Sequence, residues 1–403
     1  MIRNVLRAPA LRLRDFRILC LSTVFETAGF AGEQVILGWL VLELTGSPFM
    51  VGAAIGARSA PYFFLGIVAG TIADLVDRRA LMRLLNLAMV LITAALGLLI
   101  YLNKIEVWHF FVMAVLAGCI GALYQTSRQS LAFEVAGEGN RMSGLSYVSL
   151  SMRFGGLLGS LAAGFIFARI GADVAYFAVA AAYVVSALSL SFMRSQSRPP
   201  LMKSRNVLQS LKELGAEVRV NRPLLVLIVM VALVELLGFS HAALMPSLAR
   251  DVLHVGPEGL GVMIAFQSVG AVVALVVALP FGDTNRKGLI FLIVILVFGV
   301  SLMMLGLTTS FVAALLVIAV MSAAMALSDL FSQGLIQAMV PRSLRGRAMG
   351  AWVVAVGTAP LGNLQIGGLA AAIGVSVALM TNGTVLLVLG VGALLLFPRL
   401  RRL

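Results

Sequence analysis

The sequence predicts an all-α membrane protein, with twelve transmembrane helices in two pseudo-symmetric six-helix bundles. Three observations lead there. Of the 403 residues, 61% are hydrophobic and only 12% charged, whereas soluble domains run near 45–50% and about 25%. Apolar runs of about 20 residues, the length that crosses a bilayer, recur along the whole chain. The two halves of the chain also repeat one another. The same composition excludes a soluble enzyme and a disordered chain. No polar stretch is long enough to form a large extramembrane domain.

The N-terminus, MIRNVLRAPALRLRDFRILC, carries five arginines. The apolar run behind it is too long for a signal-peptide core and no small-residue cleavage site closes it, so an uncleaved first span is expected. Charges, glycines and prolines bound the runs. They place the first six spans at Phe16–Val41, Val51–Leu75, Leu81–Leu102, Val107–Ser130, Leu145–Ala168 and Val174–Met193. The second six fall at Leu224–Leu248, Gly259–Phe281, Leu289–Leu307, Phe311–Ala338, Gly350–Ile373 and Val375–Leu396. All are expected to be helices, because the hydrocarbon leaves an open backbone no other way to satisfy its polar groups.

The 30 Lys and Arg outnumber the 17 Asp and Glu, a formal net charge of +13. In a soluble protein that excess would point to nucleic acid. Here it sits in short loops between apolar runs, so no nucleic-acid partner is expected. Of the 30 basic residues, 24 fall in the loops assigned to one side and three (Lys104, Arg169, Arg250) in the opposite loops. That bias places both termini and the central loop in the cytoplasm, as in a bacterial-type inner membrane. Arg58, Arg128 and Arg153 lie within spans or at their edges.

The longest polar stretch, 194–222, separates residues 1–193, the first bundle, from residues 223–403, the second. Within it Val207, Leu208, Leu211, Leu214 and Val218 recur at helical spacing among Arg205, Lys212 and Arg219. This predicts a basic amphipathic linker helix at the cytoplasmic surface. Adding 209 maps Glu26 to Glu235, Gly52 to Gly261, Asp74 to Asp283 and Arg78 to Lys287. A shift of 206 maps Arg141 and Gly144 to Arg347 and Gly350. Two homologous six-span halves predict a pseudo-two-fold axis along the membrane normal, with a site where the halves meet.

The turn after the second span reads Gly70-Thr71-Ile72-Ala73-Asp74-Leu75-Val76-Asp77-Arg78-Arg79. It resembles the cytoplasmic loop motif of the major facilitator superfamily, Gly-x-x-x-Asp-Arg/Lys-x-Gly-Arg-Arg/Lys. Gly70, Asp74, Arg78 and Arg79 match; Leu75 and Asp77 depart from the pattern. Asp283 and Lys287 form a weaker second copy. The Ala-Asp-x-x-Asp-Arg-Arg run looks most like the branch of macrolide and siderophore exporters. The resemblance covers the whole chain through its six-plus-six layout, and it implies proton-coupled drug efflux on the major facilitator fold. It also implies a gate at this loop, with Asp74 as a latch on a facing helix. In the fifth span Gly155/Gly159 and Gly156/Ser160/Gly164 are small residues spaced for tight helix packing. The Gly-Pro common in the superfamily's antiporters is Gly156-Leu157 here.

Ionisable residues inside a membrane are expensive and are functional candidates by default. Glu26 lies near the midplane of the first span and Arg153 at similar depth in the fifth, so they are expected to pair. Glu33 and Arg58 are matched in depth and form a second expected pair. Glu235 is the repeat partner of Glu26, His241 lies further out on the seventh span, and Asp329 lies in the inner part of the tenth. Each has a bland alternative as a buried residue that fixes packing. Glu26 and Glu235 are favoured as proton or substrate sites.

No enzyme is expected. There is no phosphate-binding Gly-x-x-x-x-Gly-Lys, and the three histidines, His109, His241 and His254, are scattered. Cys20 and Cys119 offer neither a disulfide framework nor a ligand set. His241-x-x-x-Met245 and Met321-x-x-x-Met325 each put two soft ligands on one helix face, but the 19 methionines read better as membrane filler, so no metal site and no cofactor are expected. The function expected is export of a small amphipathic molecule by a monomer in the lipid bilayer, driven by protons through rocking of the halves. The alternatives are uptake, or lysolipid or metal-ion transport, on the same fold. From another class, the alternative is a non-transporting receptor or assembly subunit.

Overall fold

The computed structural model describes residues 12–137, 141–194, 222–278, 286–340 and 345–401. Side chains at 66–75, 141–143, 222, 345–348, 350, 351, 399 and 400 fall outside that description. The expected linker helix at 194–222 lies almost wholly outside the described residues.

The first helices are α1 (Arg14–Thr45), α2 (Pro48–Leu75), α3 (Arg78–Tyr101), α4 (Val107–Val135), α5 (Arg141–Arg169) and α6 (Ala172–Ser191). They are followed by α7 (Arg222–Leu237), α8 (Pro257–Ala278), α9 (Lys287–Leu307), α10 (Phe311–Ala338), α11 (Arg345–Val356), α12 (Ala359–Ile373) and α13 (Val375–Leu396). Among the described residues ten helical segments are long and apolar enough to cross a membrane, beginning with α3. The two ahead of them, α1 and α2, are 32 and 28 residues long.

Two expected spans are not single helices. The seventh runs as α-helix to Leu237, as 3-10 helix over Phe239–Leu244 and as a wide π turn over Leu248–Val252. Pro246 lies inside this stretch and has no N–H to continue the ladder. The eleventh is split into α11 and α12, with Pro360 in the first turn of the second piece.

The chain forms two compact units. The first comprises Met1–Thr45, Phe64–Met202 and Val255–Ser268. Its centre is α1 packed along α5 and α6, with α3 on α6. Side chains at Gly155 or Gly159 would run into the Val24 and Ala28 carbonyls, so these glycines let α1 and α5 touch backbone to backbone. One end of this unit is sealed by Phe16, Leu19, Met82, Leu131 and Leu190, all but inaccessible to solvent.

The second unit comprises Gly46–Phe63, Lys203–His254 and Val269–Leu403, with α9 packed along α13 and α10, and α12 beside α7. The duplicated glycines play duplicated parts, each within its own unit. Gly261 faces Gly164 and has no room for a side chain beside the Ser160 carbonyl. Gly52 faces Gly367 and has none beside the Asn363 carbonyl.

Candidate transport site

In the first unit, α1 presents Ser22 and Glu26 one turn apart, and α4 presents Tyr124 and Arg128 at the same spacing. Arg128 Nη1 donates to Glu26 Oε2 at 2.7 Å, and the Thr27 hydroxyl donates to the same oxygen at 3.1 Å. The Arg128 side chain is 5% exposed and that of Glu26 12%. The guanidinium lies 5.6 Å from the centroid of the Tyr124 ring, within cation–π range.

One turn along, Ser186 of α6 gathers three partners. Its hydroxyl donates to the Ser22 carbonyl at 2.9 Å, meets the Ser22 hydroxyl at 2.8 Å and accepts from Asn86 Nδ2 of α3 at 2.9 Å. With its one proton given to the carbonyl, Ser186 must accept from both other groups. The result is a buried polar layer joining α1, α3 and α6 beneath the ion pair.

Arg128, Tyr124, Ser22, Asn86 and Ser186 were not among the residues singled out by sequence. Arg128 carried a signal, as one of three arginines inside spans. The small polar residues carried none. The expected partner of Glu26, Arg153, lies exposed on α5. Glu33 is fully buried in the first unit, and Arg58 is buried in the second.

In the second unit Glu235 is 4% exposed near the end of α7. Among the described residues it makes no hydrogen bond or ion pair, and the Asp329 carboxylate of α10 is close enough to interact with it electrostatically. Two residues on, the α-helix ends. Asn382 Nδ2 of α13 donates to the Leu237 carbonyl at 3.0 Å, and Asn382 and Gln365 of α12 exchange amide hydrogen bonds at 3.1 and 3.3 Å. His241, fully buried, puts Nδ1 2.8 Å from the Gly238 carbonyl, so Nδ1 carries the hydrogen. Its ring meets Phe298 edge-on. These side chains satisfy backbone carbonyls at the break.

At the loop motif, the side chains of Gly70 and Asp74 and the whole of Asp283 lie outside the described residues. Asp77 caps α3, accepting from the N–H groups of Arg79 at 2.9 Å and Ala80 at 3.3 Å. Arg78 is buried and forms an ion pair with Glu134 near the end of α4. Arg79 donates to the last carbonyls of α6, Leu190 at 2.8 Å and Ser191 at 2.7 Å. Lys287 opens α9. The described part of the motif therefore ties α3 to α4 and α6 within one unit. Among the described residues no group of three or more His, Cys, Asp or Glu is placed to hold a metal ion.

Acids recur at matching places on a many-spanning helical frame, and comparison with known proteins says what kind of protein carries them. The family model described as transmembrane secretion effector matches residues 7–403. The chain belongs to that family, within the major facilitator superfamily. It is 25% identical over 413 residues to the multidrug efflux pump Tap of Mycolicibacterium fortuitum, covering 99% of this chain and 98% of the relative. It is 23% identical over 390 residues to the enterobactin exporter EntS of Citrobacter koseri, covering 96% and 92%. Among solved structures, the nucleoside transporter NupG superposes with a TM-score of 0.81 at 11% identity, covering 95% of this chain and 99% of that one. That likeness speaks for the fold alone. The chain is thus a multi-pass membrane transporter with exporters among its relatives, and not an enzyme.

Proposed function

We propose that this chain is a proton-driven exporter of a small amphipathic molecule, working by alternating access. Twelve spans would form two six-span halves, residues 1–193 and 223–403, joined by the linker 194–222. The protein would act as a monomer in a bacterial cytoplasmic membrane, with both termini inside. The observation that carries this reading is the Glu26–Arg128 pair. A carboxylate within a span, paired with a guanidinium, changes the net charge of its surroundings when it takes a proton, and such a change can bias which face is open. Asp74, at the loop motif, would act as the latch of one state.

Reconstituted liposomes test it. Glu26→Gln fixes the acid in its uncharged shape. Transport driven by an imposed pH gradient should then fall by at least tenfold, while gradient-independent exchange of substrate across the membrane persists. Full gradient-driven transport in the Gln variant would remove Glu26 from the coupling step. Loss of both activities would make it a packing residue.

A further inference from the structure

Beside its polar layer, the first unit carries a groove of another kind. Helices α1, α5 and α6 enclose about 350 Å³ there, and every residue that lines it is apolar or glycine. The sequence explains why the space stays unfilled. Gly159 lets α5 lie on the Ala28 carbonyl of α1. On the other wall α6 presents Ala175, Ala178 and Ala182, whose side chains are too short to close the gap. Leu158 and Val185, 43% and 37% exposed, leave its rim open to the surroundings.

The length of the groove narrows what fits it. On α5 it runs from Leu158 to Ile166, and on α6 from Ala175 to Val185. At 1.5 Å per residue these stretches are roughly 12 and 15 Å long. Half the hydrocarbon core of a bilayer is about 15 Å. The groove therefore has the depth of one leaflet, and its end at Ile166 and Ala175 lies beside the turn that joins α5 to α6.

Arg169 stands at that end, in the last turn of α5. It follows Leu158, Ala162 and Ile166 at steps of four, four and three, the spacing of one helix face. Its guanidinium lies 5.7 Å from the centroid of the Phe165 ring, so the side chain leans back along α5 towards the groove. It is exposed, and among the described residues the guanidinium makes no ion pair or hydrogen bond, not even with Asp173 four residues on. Arg169 is also one of three basic residues in the loops of its side, where membrane insertion makes cations scarce.

We propose that this groove is a binding site for a phospholipid, with one acyl chain along α1, α5 and α6 and the phosphate on Arg169. An apolar trough one leaflet deep matches the chain, and a cation one turn beyond its end matches the headgroup. The planar guanidinium can donate two parallel hydrogen bonds to phosphate oxygens. The site is separate from the Glu26–Arg128 pair and does not depend on the direction or the cargo of transport.

Native mass spectrometry of the full-length protein tests it, with dioleoyl phosphatidylglycerol and dioleoylglycerol as probes. The two share their acyl chains, and the phosphate is the only charge that separates them. The wild type should bind the phosphatidylglycerol at least fivefold more tightly. Arg169→Gln should abolish that preference and Arg169→Lys should keep most of it. Ala182→Phe, which fills the groove, should weaken both lipids by at least fivefold, and Ala178→Met should do so to a smaller degree. A thermal melt of each variant shows that it remains folded, and the Met variant serves if the Phe variant does not. Equal binding of the two lipids by the wild type overturns the proposal. So does an unchanged preference in Arg169→Gln, or unchanged binding in both groove-filling variants. Displacement of the lipid by an excess of inorganic phosphate would make this a free-anion site instead. A dimer that is lost in Ala182→Phe would make the groove a contact between copies of the chain, and would equally overturn the lipid site.

Discussion

Glu26 and Glu235 lie 209 residues apart at matching places in a duplicated chain, and the two units treat them differently. The first encloses its acid with an arginine, a threonine hydroxyl and a layer of Ser22, Asn86 and Ser186. The second leaves its acid beside another acid and spends its amides on a broken helix instead. Duplication preserved the backbone frame, down to the tight Gly52 and Gly261 crossings, and let the polar interior diverge. In one half the acid meets an arginine from α4. In the other the corresponding helix, α10, supplies no Lys or Arg.

The sharpest way to break this comparison is to remove charge from each half in turn. Arg128→Met strands Glu26 as a buried charge without its partner, and should cost about 3–5 kcal/mol of stability. Glu26→Gln with Arg128→Met should recover most of that loss. Glu235→Gln removes an acid that has no described cation, so it should leave stability unchanged or raised. Thermal unfolding in one detergent compares all of them. Equal losses from Arg128→Met and Glu235→Gln would mean that the two acids are held alike, and the contrast would collapse.

The polar layers offer a smaller and more local test. Asn382→Leu strips the Leu237 carbonyl of its donor at the break in α7, and Ser186→Ala strips Ser22 and Asn86 of their shared partner. Hydrogen bonds between membrane helices average about 0.6 kcal/mol, reaching roughly 1.7. Ser186→Ala, which breaks three contacts at once, should lie near the upper figure. Asn382→Leu should cost about 1 kcal/mol and also loosen the segment after Gly238. Hydrogen exchange at residues 239–252 would detect that loosening. Protection there that is unaltered in Asn382→Leu would show that the break holds itself together without α13.

Much of this architecture was legible in the sequence, for reasons of length and cost. Apolar runs of fixed length can only be spans, and a carboxylate inside one is conspicuous because it is expensive. That made Glu26, Glu33, Glu235 and Asp329 readable. Their partners were less so. Pairing Glu26 with Arg153 rested on depth alone, and depth gave no reason to single out Arg128. That Arg128 reaches the acid depends on helix rotation and neighbourhood, which a linear pattern does not encode. Ser22, Asn86 and Ser186 looked like the small polar residues that membrane helices tolerate anywhere. Only the meeting of α1, α3 and α6 makes them one layer. The break in α7 had visible cues in Gly238 and Pro246, but hydropathy runs straight through them. Hydropathy registers apolar length and is blind to the path of the backbone.

The smallest expected effect sharpens the comparison at the ends of two equivalent helices. Asp77 is the N-cap of α3 and its carboxylate accepts from two free N–H groups of the first turn. The residue 209 positions later, Arg286, is the N-cap of α9 and makes no side-chain bond there. A capping carboxylate both satisfies N–H groups that the helix leaves open and sits at the positive end of its dipole. An arginine at that end does neither, and adds a like charge to the dipole's positive pole. Asp77→Ala should therefore destabilise the protein by about 1 kcal/mol. Arg286→Asp should stabilise it by roughly 0.5–1 kcal/mol. Chemical denaturation of the two variants beside the wild type would resolve both signs. Arg286→Ala separates the parts of the gain, since it relieves the dipole without supplying an acceptor and should recover less than the Asp variant. If Arg286→Asp destabilises the protein instead, the arginine is held there by a contact of its own. The two helix starts would then differ by function and not merely by loss of a cap.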